Sequence, residues 1–198
     1  EIEKVMGYAP KRIFVEMTRT EEEKGDKGRK ESRGNQLLEL YKSIKNTDSH
    51  NWKEEIAAAD KDGKLRSKKL FLYYMQMGRD MYTGEEIDLG RLYDDNLYDI
   101  DHIYPRHYVK DDSIMNNLVL VNRRANQDIK KDLYPIPEQI KANPNVHMLW
   151  DALHKQKLIT DEKYARLTSN TAFSEKQLGD FIARQLVETG QGTKGVAD

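Results

Sequence analysis

Cysteine is absent from the 198 residues of this sequence. Disulfide bonds and thiolate metal sites of the zinc-ribbon type are therefore excluded. Any metal ion must be held by oxygen or imidazole ligands, and this donor set favours magnesium, manganese or calcium over structural zinc. The absence of cysteine is also compatible with a reducing compartment.

Long apolar runs are missing as well. No stretch approaches the ~20 residues that a membrane-spanning helix needs. Residues 1–4, EIEK, have neither the basic start nor the apolar block of a secretory signal. Hydrophobic residues make up 37% of the chain and charged residues 34%, which fits a polar protein with a modest core and no membrane partner.

The sequence also lacks an excess of charge of either sign. It has 33 basic and 34 acidic residues, for a formal charge of −1. Phosphate neutralisation supplies most non-specific affinity for nucleic acid, so this balance argues mildly against a free-standing DNA-binding protein. Residues 101–131 differ, because six basic side chains against four acidic ones give them a net charge of +2. Because the chain as a whole is nearly neutral, a nucleic-acid ligand would still need an additional partner to hold it.

By composition the chain divides into four parts. Residues 1–17 contain a short helical pattern and an apolar strand pattern at 13–17 that includes Glu16. Residues 18–35 and 187–198 have too few apolar side chains to bury and are predicted to be linkers. Residues 36–186 carry apolar positions at spacings of three and four, which predicts helices around a central stretch at about 98–133.

The central stretch predicts two strands and a helix. Residues 98–103 alternate polar and apolar side chains, as a half-buried strand does, and Pro105 ends the pattern. The run LVLV at 118–121 suits a second strand. Asn122 is placed to cap a helix over residues 123–131. The predicted fold is therefore α+β and mostly helical, with a core of a two-stranded antiparallel sheet and a crossing helix, surrounded by helices.

This stretch holds the groups that phosphodiester hydrolysis requires. A divalent cation held by the Asp101 carboxylate and the Asn126 amide would stabilise charge on phosphate and the leaving oxygen, and His102 would deprotonate water. Strict alternation sends Asp101 and His102 to opposite faces of a strand. The hypothesis therefore needs the strand to end or bulge at His102.

Each residue also has a simpler interpretation. His102 alone would be a half-buried, hydrogen-bonded histidine, and Asp99 a carboxylate at a strand edge or turn. Asn126 would be an ordinary residue on a helix surface, and Lys130 part of a solvated face. Glu16 would face outward from a one-sided strand. The order of the motifs, more than any single residue, favours the catalytic interpretation.

A family resemblance also supports the catalytic interpretation. The motifs D-I-D-H-I-Y-P at 99–105 and K-D-D-S-I at 110–114, with Asn116 and Asn126, resemble the HNH (ββα-metal) nuclease domain of type II RNA-guided CRISPR effectors. L-Y-Y-M-Q-M-G-R-D-M-Y at 72–82 and F-I-A-R-Q-L-V-E-T at 181–189 resemble the segments before and after that domain. I-F-V-E-M at 13–17 resembles the second segment of the RuvC-like nuclease into which it is inserted.

The resemblance implies a role for each matching residue. His102 would be the general base, Asp101 and Asn126 the metal ligands, and Lys130 a lysine near the scissile phosphate. Two further residues, Asp99 and Asn116, would support the site. Glu16 would be a metal ligand of the RuvC-like site and inactive in this chain, because its partner carboxylates are not in these 198 residues.

The resemblance also implies the organisation and the activity. Residues 1–17 would be the partial RuvC-like segment and 36–186 the HNH domain. The domain would be a one-metal DNA endonuclease of antiviral defence in the bacterial cytoplasm, using Mg²⁺, with Mn²⁺ as a substitute. It would cut the target strand paired with guide RNA. Its partners would be this heteroduplex and the rest of the effector, with a phage-encoded inhibitor protein as a further candidate.

Two alternatives remain open. A stand-alone HNH homing or restriction nuclease would need its own DNA-binding surface, which the charge of −1 does not favour. A non-catalytic interaction module could keep the same fold without cleaving DNA, and the complete set of Asp101, His102 and Asn126 speaks against it.

Overall fold

A computed structural model describes the backbone of residues 31–193 and the side chains of residues 31–188. In chain order its α-helices are α1 (Arg33–Leu40), α2 (Trp52–Lys61), α3 (Lys68–Met75), α4 (Glu138–Lys141), α5 (Pro144–Lys155), α6 (Asp161–Thr168) and α7 (Glu175–Thr193). Short 3₁₀ turns cover Lys64–Arg66 and Leu89–Arg91, and a π-helix covers Ala125–Lys130. The strands are β1 (Tyr98–His102) and β2 (Leu118–Asn122).

The two strands form an antiparallel sheet with Ile100 opposite Leu120 and His102 opposite Leu118. Four consecutive residues of β2, 118–121, are buried, so this strand is covered on both faces. β1 is buried only at Tyr98 and partly exposed along the rest of its length. The polar side chains of β1 therefore lie where solvent and a substrate can reach them.

Side chains satisfy the outer edge of β2. Gln76 donates to the carbonyl of Leu120 at 2.9 Å and accepts from its amide at 2.7 Å. Asp80 accepts from the amide of Asn122 at 2.5 Å. An exposed strand edge would carry unpaired backbone groups, so these two residues complete the sheet in the place of a third strand. Burial raises the pKa of Asp80 to about 6, against the hydrogen bonds that it accepts from backbone amides.

Buried aromatic side chains connect the helices to the sheet. The six buried residues of α3 run without a break from Leu70 to Met75. On α5 the buried Trp150 donates from Nε1 to the carbonyl of Met81 at 2.9 Å. Gly84 approaches the same helix so closely that a Cβ atom there would lie 3.0 Å from the Cβ atom of Asn145. These contacts fix residues 78–88 against β2.

The α+β fold class and its ββα core, predicted from the sequence, are confirmed. The helix after β2 is capped by Asn122, whose side chain accepts from the amides of Arg124 and Ala125. Its last six residues form a π-helix, which is wider than the α-helix that the sequence predicted. A capping box precedes α7, with reciprocal bonds between Ser174 and Gln177.

The predicted linkers are partly helical where the structure describes them. Ser32 caps α1 by accepting from the amide of Asn35, so residues 33–35 belong to a helix. Residues 187–193 continue α7. The RuvC-like segment at 1–17, with Glu16, lies outside the described residues. Within the described part of the chain, no helix has the length and apolar character to cross a membrane.

Candidate active site

Asp101 lies between an aromatic hydroxyl and a buried ammonium. Tyr82 donates to Asp101 Oδ2 at 2.6 Å, and Lys130 Nζ lies 3.3 Å from the same oxygen. The side chain of Asp101 is 13% exposed, whereas that of Lys130 is fully buried. Burial raises the pKa of Tyr82, and Asp101 raises it further. Burial lowers the pKa of Lys130, and Asp101 opposes this effect.

The π-helix brings Asn126 and Lys130 to the same face of β1. Asn126 Nδ2 donates to Asp99 Oδ2 at 3.4 Å, and Lys130 contacts Asp101, two residues further along the strand. Residues two apart on a strand share a face, so Asp99 and Asp101 lie on the same face of β1. We call these two carboxylates the acidic edge. Lys130 also donates to the carbonyl of His102 at 3.3 Å and so connects the helix to the end of the strand.

His102 is the last residue of β1, and its imidazole pairs with a different residue. His102 Nε2 lies 2.7 Å from Oδ1 of Asp112, in the loop between the strands. The imidazole is 19% exposed, so it is not part of the core. The hydrogen bond to His102 lowers the pKa of Asp112. The strand ends at His102 without a bulge, so one of the two conditions that the hypothesis of a shared site named is met.

Asn117, which the sequence analysis did not single out, holds the loop between the strands in place by hydrogen bonds. Its side chain is fully buried. It accepts from the amide of Tyr104 at 2.8 Å and donates to the carbonyls of Tyr104 and Asp111. The neighbouring Asn116, named from the sequence, accepts from the Thr160 hydroxyl at 2.9 Å. Burial distinguishes these two asparagines, and the sequence alone gives no signal for it.

The residues on the acidic edge suit a hard divalent cation. Asp99, Asp101 and Asn126 offer carboxylate and amide oxygens, which magnesium and manganese prefer. The ammonium of Lys130 beside Asp101 shows that this edge attracts a positive charge. Among the described residues, no three His, Asp or Glu side chains cluster closely enough to form a metal site by themselves.

The structure thus brings most of the predicted residues to one place. Asp99, Asp101, Asn126 and Lys130 lie together, and His102 ends the strand that carries the two aspartates. Sequence reasoning missed Tyr82 and Asp112, which contact this set, and Asn117, which holds the loop between the strands. Tyr82 is the last residue of the motif at 72–82, which resembles the segment before the HNH domain. Its contact with Asp101 spans 19 positions, so the motif alone does not indicate it.

Comparisons with known proteins agree on one family. Residues 80–136 match the family described as HNH endonuclease. Over its whole length the chain is 40% identical to the CRISPR-associated endonuclease Cas9 of Streptococcus mutans and 38% identical to that of Listeria innocua. A third similarity, 43% identity over 68 residues or 33% of the chain, is to the Cas9 of Campylobacter jejuni. The chain spans 14% of the length of the first two relatives.

Proposed function

We propose that this chain is the part of an RNA-guided effector that cuts the target DNA strand. The proposal starts from two similarities: residues 80–136 match the HNH endonuclease family, and the whole chain is similar to part of the CRISPR-associated Cas9 endonucleases. The strand would be paired with guide RNA when it is cut. The observation that carries the proposal is the side-by-side placement of Asp99, Asp101 and Asn126 on a ββα core that ends its first strand at His102.

Each residue has a defined task in this proposal. Asp101 and Asn126 would hold a divalent cation, Mg²⁺ with Mn²⁺ as a substitute, and Asp99 accepts a hydrogen bond that orients the Asn126 amide. When bound, the ion would supply electrostatic stabilisation of the phosphate and of the leaving oxygen. His102 takes the proton from the attacking water. Lys130, whose buried amine lies 3.3 Å from Asp101 Oδ2, would hold this carboxylate from the side opposite the metal ion.

The near-neutral charge of the chain fits a domain that does not bind DNA alone. Steering and non-specific affinity for nucleic acid require a basic surface, and the net charge here is −1. The rest of the effector, including a RuvC-like domain that would use Glu16, would hold the heteroduplex. The same argument disfavours a stand-alone homing or restriction nuclease. A phage-encoded inhibitor and a cytoplasmic location stay proposals of the same kind.

The decisive experiment removes one imidazole. In the full-length effector, His102→Ala should slow Mg²⁺-dependent cleavage of the labelled target strand by at least about 100-fold, the low end of the effect of a general base. His147→Ala is the matched control, because it removes an exposed imidazole from α5. The strand that is not paired with guide RNA should be cut at the same rate in all three proteins.

Two results would reject the proposal. Equal target-strand cleavage by the wild-type and His102→Ala proteins would exclude His102 as the base. Undiminished cleavage after chelation of all divalent cations would exclude the metal role of Asp101 and Asn126. A wild-type protein that binds the heteroduplex but cuts neither strand under any metal would favour a non-catalytic interaction module.

A further inference from the structure

Asp112 is a surface residue whose neighbours on both sides are fixed. Asp111 accepts a 2.7 Å bond from Arg166 of α6, and its carbonyl accepts from the side chain of Asn117. On the other side, the carbonyl of Ser113 accepts from the amides of Asn117 and Leu118. The backbone at Asp112 is thus anchored, although its own side chain is 53% exposed.

Helix α6 provides further anchors for the same loop. Lys163 donates to the carbonyl of Ile114 at 2.8 Å, and Thr160 donates to Asn116 Oδ1 at 2.9 Å. Arg166 also donates to Asn117 Oδ1 at 3.0 Å. Three side chains of one helical segment therefore hold the loop in a single position. An isolated surface carboxylate would have no such support.

The anchored carboxylate meets the imidazole at a defined atom. A carboxylate can only accept hydrogen bonds, so the short contact between Asp112 Oδ1 and His102 Nε2 requires a proton on Nε2. In a neutral imidazole the lone pair then lies on Nδ1. The contact selects the ring nitrogen that is free to accept a proton, and it also fixes the plane of the ring.

We propose that Asp112 is a positioning residue for the nuclease reaction, which holds the His102 ring through Nε2 so that Nδ1 takes the proton from water. This proposal rests on the proposed function and adds to it a positioning residue, Asp112, and the proton-accepting atom, Nδ1 of His102. Arg106, whose Nη2 lies 3.7 Å from the other oxygen of Asp112, helps to hold the carboxylate in place. The opposing interpretation is an ordinary surface pair, which contributes little to stability or to catalysis.

The first test observes the hydrogen bond itself. In ¹⁵N-labelled protein, a solvent-exposed imidazole N–H exchanges too fast to be seen, whereas one bonded to Asp112 should give a downfield Nε2–H resonance. We expect this resonance of His102 in the wild-type chain, its loss in Asp112→Ala and its retention in Asp112→Asn, since the amide oxygen still accepts. Asp48→Ala is the control, because it removes an exposed carboxylate far along the chain from the loop.

The second test measures the chemical step. In the full-length effector, Asp112→Ala should slow single-turnover cleavage of the target strand by about 10- to 100-fold, the loss expected from a misplaced catalytic group. Asp112→Asn should recover most of the rate. The thermal midpoint should not change in either variant, because the side chain is half exposed.

The outcomes separate the two proposals. Failure of the proposed function appears as a wild-type effector that cuts no target strand with Mg²⁺. The positioning role is overturned if the wild-type chain lacks the Nε2–H resonance, or if an active effector keeps its full rate after Asp112→Ala. Loss of both the resonance and the rate in Asp112→Ala, with recovery of both in Asp112→Asn, supports it.

Discussion

The hydroxyl of Tyr82 donates a 2.6 Å hydrogen bond to Asp101 Oδ2. Tyr82 is 2% exposed, so the phenol approaches the carboxylate from the core of the protein. A charge-assisted bond from a buried donor restricts the rotation of a carboxylate. Tyr82 therefore presents Asp101 in one orientation to anything that binds at the acidic edge.

Removal of this hydroxyl should weaken metal binding. We expect Tyr82→Phe to lower Mn²⁺ affinity by about 10- to 100-fold, as loss of a hydrogen bond to a metal ligand does. Tyr164→Phe is a closely matched control, because Tyr164 donates a bond of the same length, 2.6 Å, to Asp151 on the surface. Calorimetric titration of both variants with Mn²⁺ measures the effect, and equal affinities would show that Tyr82 does not orient Asp101.

The two adjacent asparagines of the loop should differ in their contribution to stability. Asn117→Ala leaves the amide and the carbonyl of Tyr104 and the carbonyl of Asp111 without partners. Unsatisfied buried groups are costly, so we expect a loss of about 2 to 3 kcal/mol in the free energy of unfolding. Asn116→Ala loses one bond from Thr160 and should cost at most about 1 kcal/mol.

Urea denaturation of the two alanine variants gives this comparison directly. The linear dependence of the unfolding free energy on urea yields both values under the same conditions. A larger loss for Asn116→Ala than for Asn117→Ala would contradict the assignment of Asn117 as the residue that ties the loop.

The buried Lys163 should make stability depend on pH. Burial, with a smaller effect of Arg166, lowers the pKa of Lys163 to about 7, whereas an unfolded lysine has a pKa of about 10.4. Between these values the unfolded state binds more protons than the folded state, so the free energy of unfolding rises with pH. The slope due to one such group is at most about 1.4 kcal/mol per pH unit.

The slope should disappear when the amine is removed. We expect the free energy of unfolding of the wild-type chain to rise by about 2.5 kcal/mol relative to that of Lys163→Met between pH 7.5 and 9.5. Lys155→Met, which removes an exposed lysine of α5, should follow the wild type. Parallel pH profiles for wild type and Lys163→Met would show that Lys163 keeps an ordinary pKa in the folded chain.

The sequence predicted the elements of the core because local rules govern them. Alternation at 98–103 and the β-branched run at 118–121 predicted the strands, which the structure places at Tyr98–His102 and Leu118–Asn122. Asn122 caps the helix after β2 as its side-chain chemistry predicted. Asn126 and Lys130, four residues apart on the π-helix, both contact aspartates of β1.

The contacts between these elements could not be predicted in the same way. The contacts of Tyr82 with Asp101, of Asp112 with His102 and of Asn117 with Asp111 join residues 19, 10 and 6 positions apart, which no helix or strand periodicity relates.

By itself, then, the sequence determined which chemical groups the chain carries and which local element holds each of them, because propensity, capping and alternation act over a few residues. Only the tertiary structure decided that Lys130 is buried against Asp101 and that His102 turns to Asp112. Burial and side-chain pairing are set by the packing of the whole core, and a single sequence encodes that packing only through all of its contacts together.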